Sequence, residues 1–134
     1  MTKLVLFITC FLAFNVHASS GPIVSNGLKK IEIAMFQEVE EAFQKKDVAT
    51  LRRVTNLLIK VFPESQYSDD ALYWLGRLAV DEERYDEALF ALDRLFKFYP
   101  KGDRLSAALV MKTVVYGKMG LWQEAEDLFK KRVD

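Results

Sequence analysis

Residues 68–100 read SDDALYWLGRLAVDEERYDEALFALDRLFKFYP, and their spacing decides the fold. Leu75-Gly76 is followed twelve residues after the glycine by Ala88, and Pro100 comes twelve residues further on. Tyr85 stands three residues ahead of that alanine. Apolar residues recur at three- and four-residue steps on both sides of the acidic run Asp81-Glu82-Glu83, the mark of two amphipathic helices joined by a turn. Gly76 and Ala88 carry little or no side chain and mark the closest approach of the two antiparallel helices. Leu72, Leu75, Leu92 and Leu95 fill the space around them. The acidic run sits at a helix C-terminus, the unfavourable end of the dipole for negative charge; it reads as a turn marker, or as an acidic lip for a basic partner.

The skeleton recurs along the chain. Aligning Phe62-Pro63 with Tyr99-Pro100 gives an offset of 37 residues, which also carries Ala88 onto Ala125 and Tyr85 onto Trp122 and sets Gly120 in a turn. Moving back by 37 brings Ala88 to Leu51 and Tyr85 to Val48, so the first copy lacks these markers. The third has Lys112-Thr113 in place of Leu75-Gly76. This pattern resembles the tetratricopeptide repeat (TPR) family, whose repeat is about 34 residues with Leu-Gly early and Pro at its end. Longer inter-repeat turns, PESQYSDD (63–70) and PKGDRLS (100–106), account for the excess. The stretches FPESQYSDDALYWLG and FYPKGDRLSAAL are similar to segments of exported bacterial envelope TPR proteins. Among these are the periplasmic member associated with the Tol–Pal system and the outer-membrane assembly lipoproteins. The resemblance implies an all-α fold, a right-handed α-superhelix of three helix–turn–helix repeats over residues 28–67, 68–104 and 105–134.

The N-terminus is expected to stand apart from that domain. Lys3 supplies a positive start, residues 4–14 (LVLFITCFLAF) an apolar run, and Val16-His17-Ala18 a small-residue cleavage site, the three parts of a secretory signal. The run is too short for the roughly 20 residues a spanning helix needs. Cys10 lies inside it, a poor setting for lipid attachment. The expectation is a signal peptide over 1–18, cleavage near Ala18, a flexible linker over 19–27 (SSGPIVSNG), and a periplasmic or secreted product.

Cleavage there would remove the only cysteine and the only histidine, Cys10 and His17. What remains, 18 basic against 19 acidic residues, has no disulfide framework, no His/Cys zinc set and no Cys or Ser-His-Asp nucleophile. The glycines are scattered singly, so no phosphate-cradling loop is read. Near-neutral charge without a basic stripe argues against nucleic acid. Carboxylates, Tyr and Lys alone are left for acid–base work. Two of Glu38, Glu40 and Glu41 could form a sugar-cleaving pair, but they sit at ordinary amphipathic spacing. The expectation is no enzyme, no cofactor and no metal.

Helices are expected over about 28–46, 48–61, 69–81, 86–98, 104–118 and 122–133. Asp47 is read as N-cap of the second, Ser68 or Asp69 as opening the third, and Asp103 as capping the fifth. Pro63 and Pro100 close helices. Leu28, Ile31, Met35, Val39 and Ala42 make one apolar face of the first helix, and Ile33, Phe36 and Phe43 a second stripe that meets the next repeat or an outside chain. The last helix is expected to turn Ala125, Leu128 and Phe129 inward and to keep a polar outer face.

What the resemblance implies for function is a concave surface, lined by the first helix of each pair, that holds a peptide or protein. Position by position it takes Ile33, Phe36, Glu40 and Phe43 from the first copy. The second gives Asp70, Tyr73, Arg77 and Val80, and the third Ala107, Val110, Val114 and Gly117. Trp74 is expected to pack between helices and Tyr73 to face the groove, with Arg77 able to grip a carboxylate. The reading is a non-enzymatic adaptor for a protein or peptide of the cell envelope. The alternative is a homo-oligomeric scaffold built on Phe36, Phe43 and the open last repeat.

Overall fold

The computed structural model describes residues 22–133; the expected signal segment and its cleavage site lie outside the described residues. Among the described residues the chain is all-α, with helices α1 (Pro22–Gln44), α2 (Val48–Val61), α3 (Ser68–Asp81), α4 (Tyr85–Phe98), α5 (Leu105–Lys118) and α6 (Trp122–Val133). The chain divides after Ile31 into two compact units. In the first, the described residues form the opening turns of α1. The second, Glu32 onward, holds everything that follows.

Helix α1 starts earlier than the sequence suggests. It begins at Pro22 and runs through Asn26-Gly27 without a break, so the expected linker does not extend past residue 21. Proline is tolerated in the first turn, where its missing N–H has no intrahelical partner. One interior glycine costs only about 1 kcal/mol, too little to stop a helix of 23 residues.

The 37-residue period is written into the backbone. Helices α2, α4 and α6 begin at Val48, Tyr85 and Trp122, and α3 and α5 at Ser68 and Leu105. Each hairpin turn contains one residue in the left-handed region at the same register: Lys46 (φ 56°), Glu83 (φ 59°) and Gly120 (φ 75°). The next N–H in each case reaches back to the carbonyl five residues earlier, Asp47 to Ala42 (2.9 Å), Arg84 to Ala79 (2.8 Å) and Leu121 to Tyr116 (2.9 Å). This is the Schellman closure of a helix C-terminus. The longer turns repeat as well: the Ser65 N–H bonds the Phe62 carbonyl at 3.0 Å, and the Gly102 N–H bonds the Tyr99 carbonyl at 2.9 Å.

Asp47 caps α2 as expected, its carboxylate accepting the Thr50 N–H at 3.0 Å, and that bond holds its carboxyl below the usual carboxylate range. Ser68 opens α3 as expected, but the cap expected of Asp103 does not form. The residues before α3 and α5 are Tyr67 and Arg104, both already in helical conformation and without a side-chain cap bond. The preceding turn itself supplies acceptors, the Ser65 carbonyl for Ser68 N–H and the Gly102 carbonyl for Leu105 N–H.

The core follows the apolar faces. Leu51, Leu58, Leu72, Leu78, Leu92 and Leu95 are fully buried, each contributing roughly 2 kcal/mol. One apolar cluster joins Val39 and Ala42 of α1 to Leu51, Val54 and Leu58 of α2 and Leu75 of α3; another joins Leu72, Leu92 and Leu95 to Ala108 and Met111 of α5. At Gly76 a β-carbon would lie 3.2 Å from Leu92 Cγ and Cδ2, so this is where α3 and α4 press together. On α6, Glu124, Glu126, Lys130 and Lys131 are exposed as expected and Ala125 and Leu128 are half-buried, but Phe129 does not turn inward. It is 57% exposed, and Trp122 is 71% exposed; among the described residues no helix covers Phe129, whose counterpart in α4 is buried Leu92.

Candidate functional site

Two interfaces between successive hairpins can be compared residue for residue. At the first, Phe36 of α1 stacks on Tyr67 (ring centroids 4.5 Å apart, 16° between planes) and on Trp74 of α3 (5.4 Å, 18°). Phe43 stacks on Trp74 from the next two turns at 5.4 Å and 20°. Trp74 thus lies between two phenyl rings, an offset arrangement that contributes about 0.5–1.5 kcal/mol per pair beyond burial. Thirty-seven residues on, Phe36, Phe43 and Trp74 become Tyr73, Val80 and Met111. With two of the three replaced by much smaller groups, the second interface stays open.

The result is a groove of about 310 Å³ between α3 and α5, lined by Tyr73, Arg77, Val80 and Asp81 on one side and Ala107, Val110, Met111 and Val114 on the other. Helical spacing puts both sets on single faces. Val110 and Val114 are nearly half exposed at its rim. Arg77 donates from Nε to Asp81 Oδ1 at 3.3 Å, a surface pair worth little on its own. Beside Tyr73, Arg104 places its guanidinium 5.4 Å from the ring centroid and pairs with Asp70. Arg104 stands 37 residues after Tyr67, so this cation–π contact takes the place of the Phe36–Tyr67 stack.

Of the residues singled out from sequence, Tyr73, Arg77, Val80, Ala107, Val110 and Val114 share this groove. Asp70 does not line it; it is engaged by Arg104. Ile33, Phe36, Glu40 and Phe43 are not in the groove; Phe36 and Phe43 are half-buried in the aromatic stack at the first interface, and Ile33 is exposed. Gly117 lies under the Trp122 ring, 3.4 Å from where its β-carbon would be. Sequence reasoning missed Asp81 and Met111. Met111 carried a signal, since it is the 37-residue counterpart of Trp74, already placed between helices.

A second hollow, about 440 Å³, lies at the turns and is lined by Ser65, Asp69, Tyr99, Gly102 and Asp103 among others. Burial pushes the Asp69 carboxyl up, the neighbouring Asp103 pushes it further, and the bond from the Asp70 N–H opposes both. Of the acidic trio on α1, Glu38 pairs with Arg53 at 2.6 Å and Glu41 with Lys45 at 3.1 Å. Among the described residues no cluster of His, Cys, Asp or Glu is placed to hold a metal ion. None of the described helices is long and apolar enough to cross a membrane. No family model, curated protein or solved structure matches the chain.

Proposed function

We propose that this chain is a non-enzymatic docking protein, a TPR-like array of three repeats in a right-handed superhelix that holds a protein or peptide in the groove between α3 and α5. In this reading it is exported by its N-terminal segment and works as an adaptor in a cell-envelope complex. The observation that carries the docking function is the open groove itself. Where the repeat's own geometry brings three aromatic rings together one interface earlier, the second interface presents Tyr73, Val80 and Met111 around free space. A partner side chain completes that packing. The test is affinity capture with the full chain from its native envelope. A Tyr73→Ala, Arg77→Ala double variant is expected to stay folded by circular dichroism and to lose the captured partner; undiminished capture discards this groove.

Exposed Trp122 and Phe129 on α6 favour a second reading, self-association through the uncovered face of the last hairpin. Sedimentation across a hundredfold concentration range distinguishes the two. A concentration-dependent dimer abolished by Phe129→Lys supports the scaffold, and a monomer throughout removes it.

A further inference from the structure

We infer that the groove between α3 and α5 recognises an acidic peptide through one aromatic side chain, its ring sitting where Trp74 sits one interface earlier and a neighbouring carboxylate meeting Arg77. The inference rests on the docking function proposed above and names the chemistry of its ligand. The repeat supplies its own template. Phe36 and Phe43 grip an indole between them at 5.4 Å each; Tyr73 and Val80 hold the equivalent positions and keep an aromatic floor and an aliphatic wall. The methionine that replaces the indole is slender and flexible, able to repack around an incoming ring and to contact it through sulfur. A volume of about 310 Å³ lies at the lower end of the range for small-ligand sites, suited to a side chain and its backbone.

The charge at the groove selects the neighbour of that ring. Arg104 is committed to Asp70 and to the Tyr73 face. Arg77 is about half exposed and, among the described residues, makes one long bond from Nε. Its two terminal amino groups have no partner there, and they form the fork that takes a carboxylate bidentately. A peptide carboxylate therefore gains two bonds while disturbing only a weak surface pair.

The experiment titrates the ¹⁵N-labelled full chain with an end-capped Gly/Ser heptapeptide carrying one Trp and, two positions on, one Glu. Saturable amide shifts are expected at Val80, Val110 and Val114. They should vanish with the Trp→Ala peptide and weaken about tenfold with the Glu→Lys peptide. Arg77→Glu in the protein, an exposed change, should reverse the preference between Glu and Lys peptides. Met111→Trp, which restores the first interface's filler, should abolish binding; if it does not fold, Val80→Phe makes the same test from α3. No saturable shift, equal binding of the Trp→Ala peptide, or shifts confined to the Phe36–Trp74 interface overturns the inference. If the peptides fail while Tyr73→Ala, Arg77→Ala still abolishes capture from the envelope, the docking function stands and only this ligand chemistry falls.

Discussion

Replacing Glu83 with glycine is expected to stabilise the protein. Glu83 has φ 59° and its counterpart Lys46 φ 56°, while the third copy carries glycine at the same register, Gly120. A residue with a β-carbon in the left-handed region bears about 1–2 kcal/mol of steric strain. Glycine removes that strain but adds about 0.4–1 kcal/mol of unfolded-chain entropy to be lost on folding. The balance is about +1 kcal/mol per site. No interaction offsets it, because both side chains are exposed and neither makes a hydrogen bond or ion pair among the described residues. The sites lie in different turns, so Lys46→Gly with Glu83→Gly should add to about 2 kcal/mol. Gly120→Ala should cost about 1 kcal/mol by the same reasoning. Urea unfolding followed by circular dichroism reads each as a shifted midpoint at constant slope. A loss of about 1 kcal/mol in Glu83→Gly, the penalty of glycine inside a helix, would refute the assignment of three registered helix closures.

Further outcomes follow from single contacts. Thr55 is fully buried on α2 and its hydroxyl has no hydrogen-bond partner among the described residues; Thr55→Val should stabilise by about 1 kcal/mol in the same urea assay, and a loss would mean the hydroxyl is bonded. Gly76→Val should destabilise by about 1–3 kcal/mol through overpacking against Leu92. Leu92→Thr, copying Thr55 of the first hairpin, should lessen the cost of the valine in a double-mutant cycle, and strict additivity would deny the contact. The pH dependence of Asp69 has a definite sign. Its folded carboxyl is raised, by burial first and then by Asp103, so its favourable contribution is present below the unfolded value and is lost as pH rises through the folded one. Asp69→Asn should therefore gain stability relative to the parent between about pH 4 and pH 7; equal urea midpoint differences at the two pH values would contradict this.

The helix hairpins were legible because their punctuation is strong. Pro63 and Pro100 fix the offset, and the helices of the later copies begin within one residue of the expected positions. Signals of backbone conformation were weaker. Only Gly120 advertises its left-handed turn; Lys46 and Glu83 take the same φ with ordinary side chains, held there by the bonds of the helices on either side. Asn26-Gly27 resembled a stop, yet the helix passes through it, since local propensity is a small term beside the hydrogen bonds of a long helix. Asp103 resembled a cap, but the turn before α5 is already helical and leaves its carboxylate beside Asp69. Half of the groove was legible from equivalent positions on α3 and α5. The other expected half was not, because whether an interface is closed depends on which rings meet across it, and the Phe36–Trp74–Phe43 stack is a tertiary fact.

The comparison of the two interfaces assigns the groove a cause. The starts of α2 to α6, the left-handed turns and the loop hydrogen bonds recur at one register. What differs at equivalent positions is the set of side chains, Phe36, Phe43 and Trp74 at the first interface and Tyr73, Val80 and Met111 at the second. Exchanging Phe for Val and Trp for Met at the second interface forgoes on the order of 2–3 kcal/mol of apolar burial, a large share of the stability of a small domain. Met111 itself closes the core with Leu72, Leu92, Leu95 and Ala108, with Val80 packed against it, and both residues also line the recess. A stable array would be better served by repeating the aromatic stack, and the chain instead keeps an apolar recess with a half-exposed arginine at its edge. That combination is what a docking site requires: the burial left unrealised within the protein is available to whatever enters it.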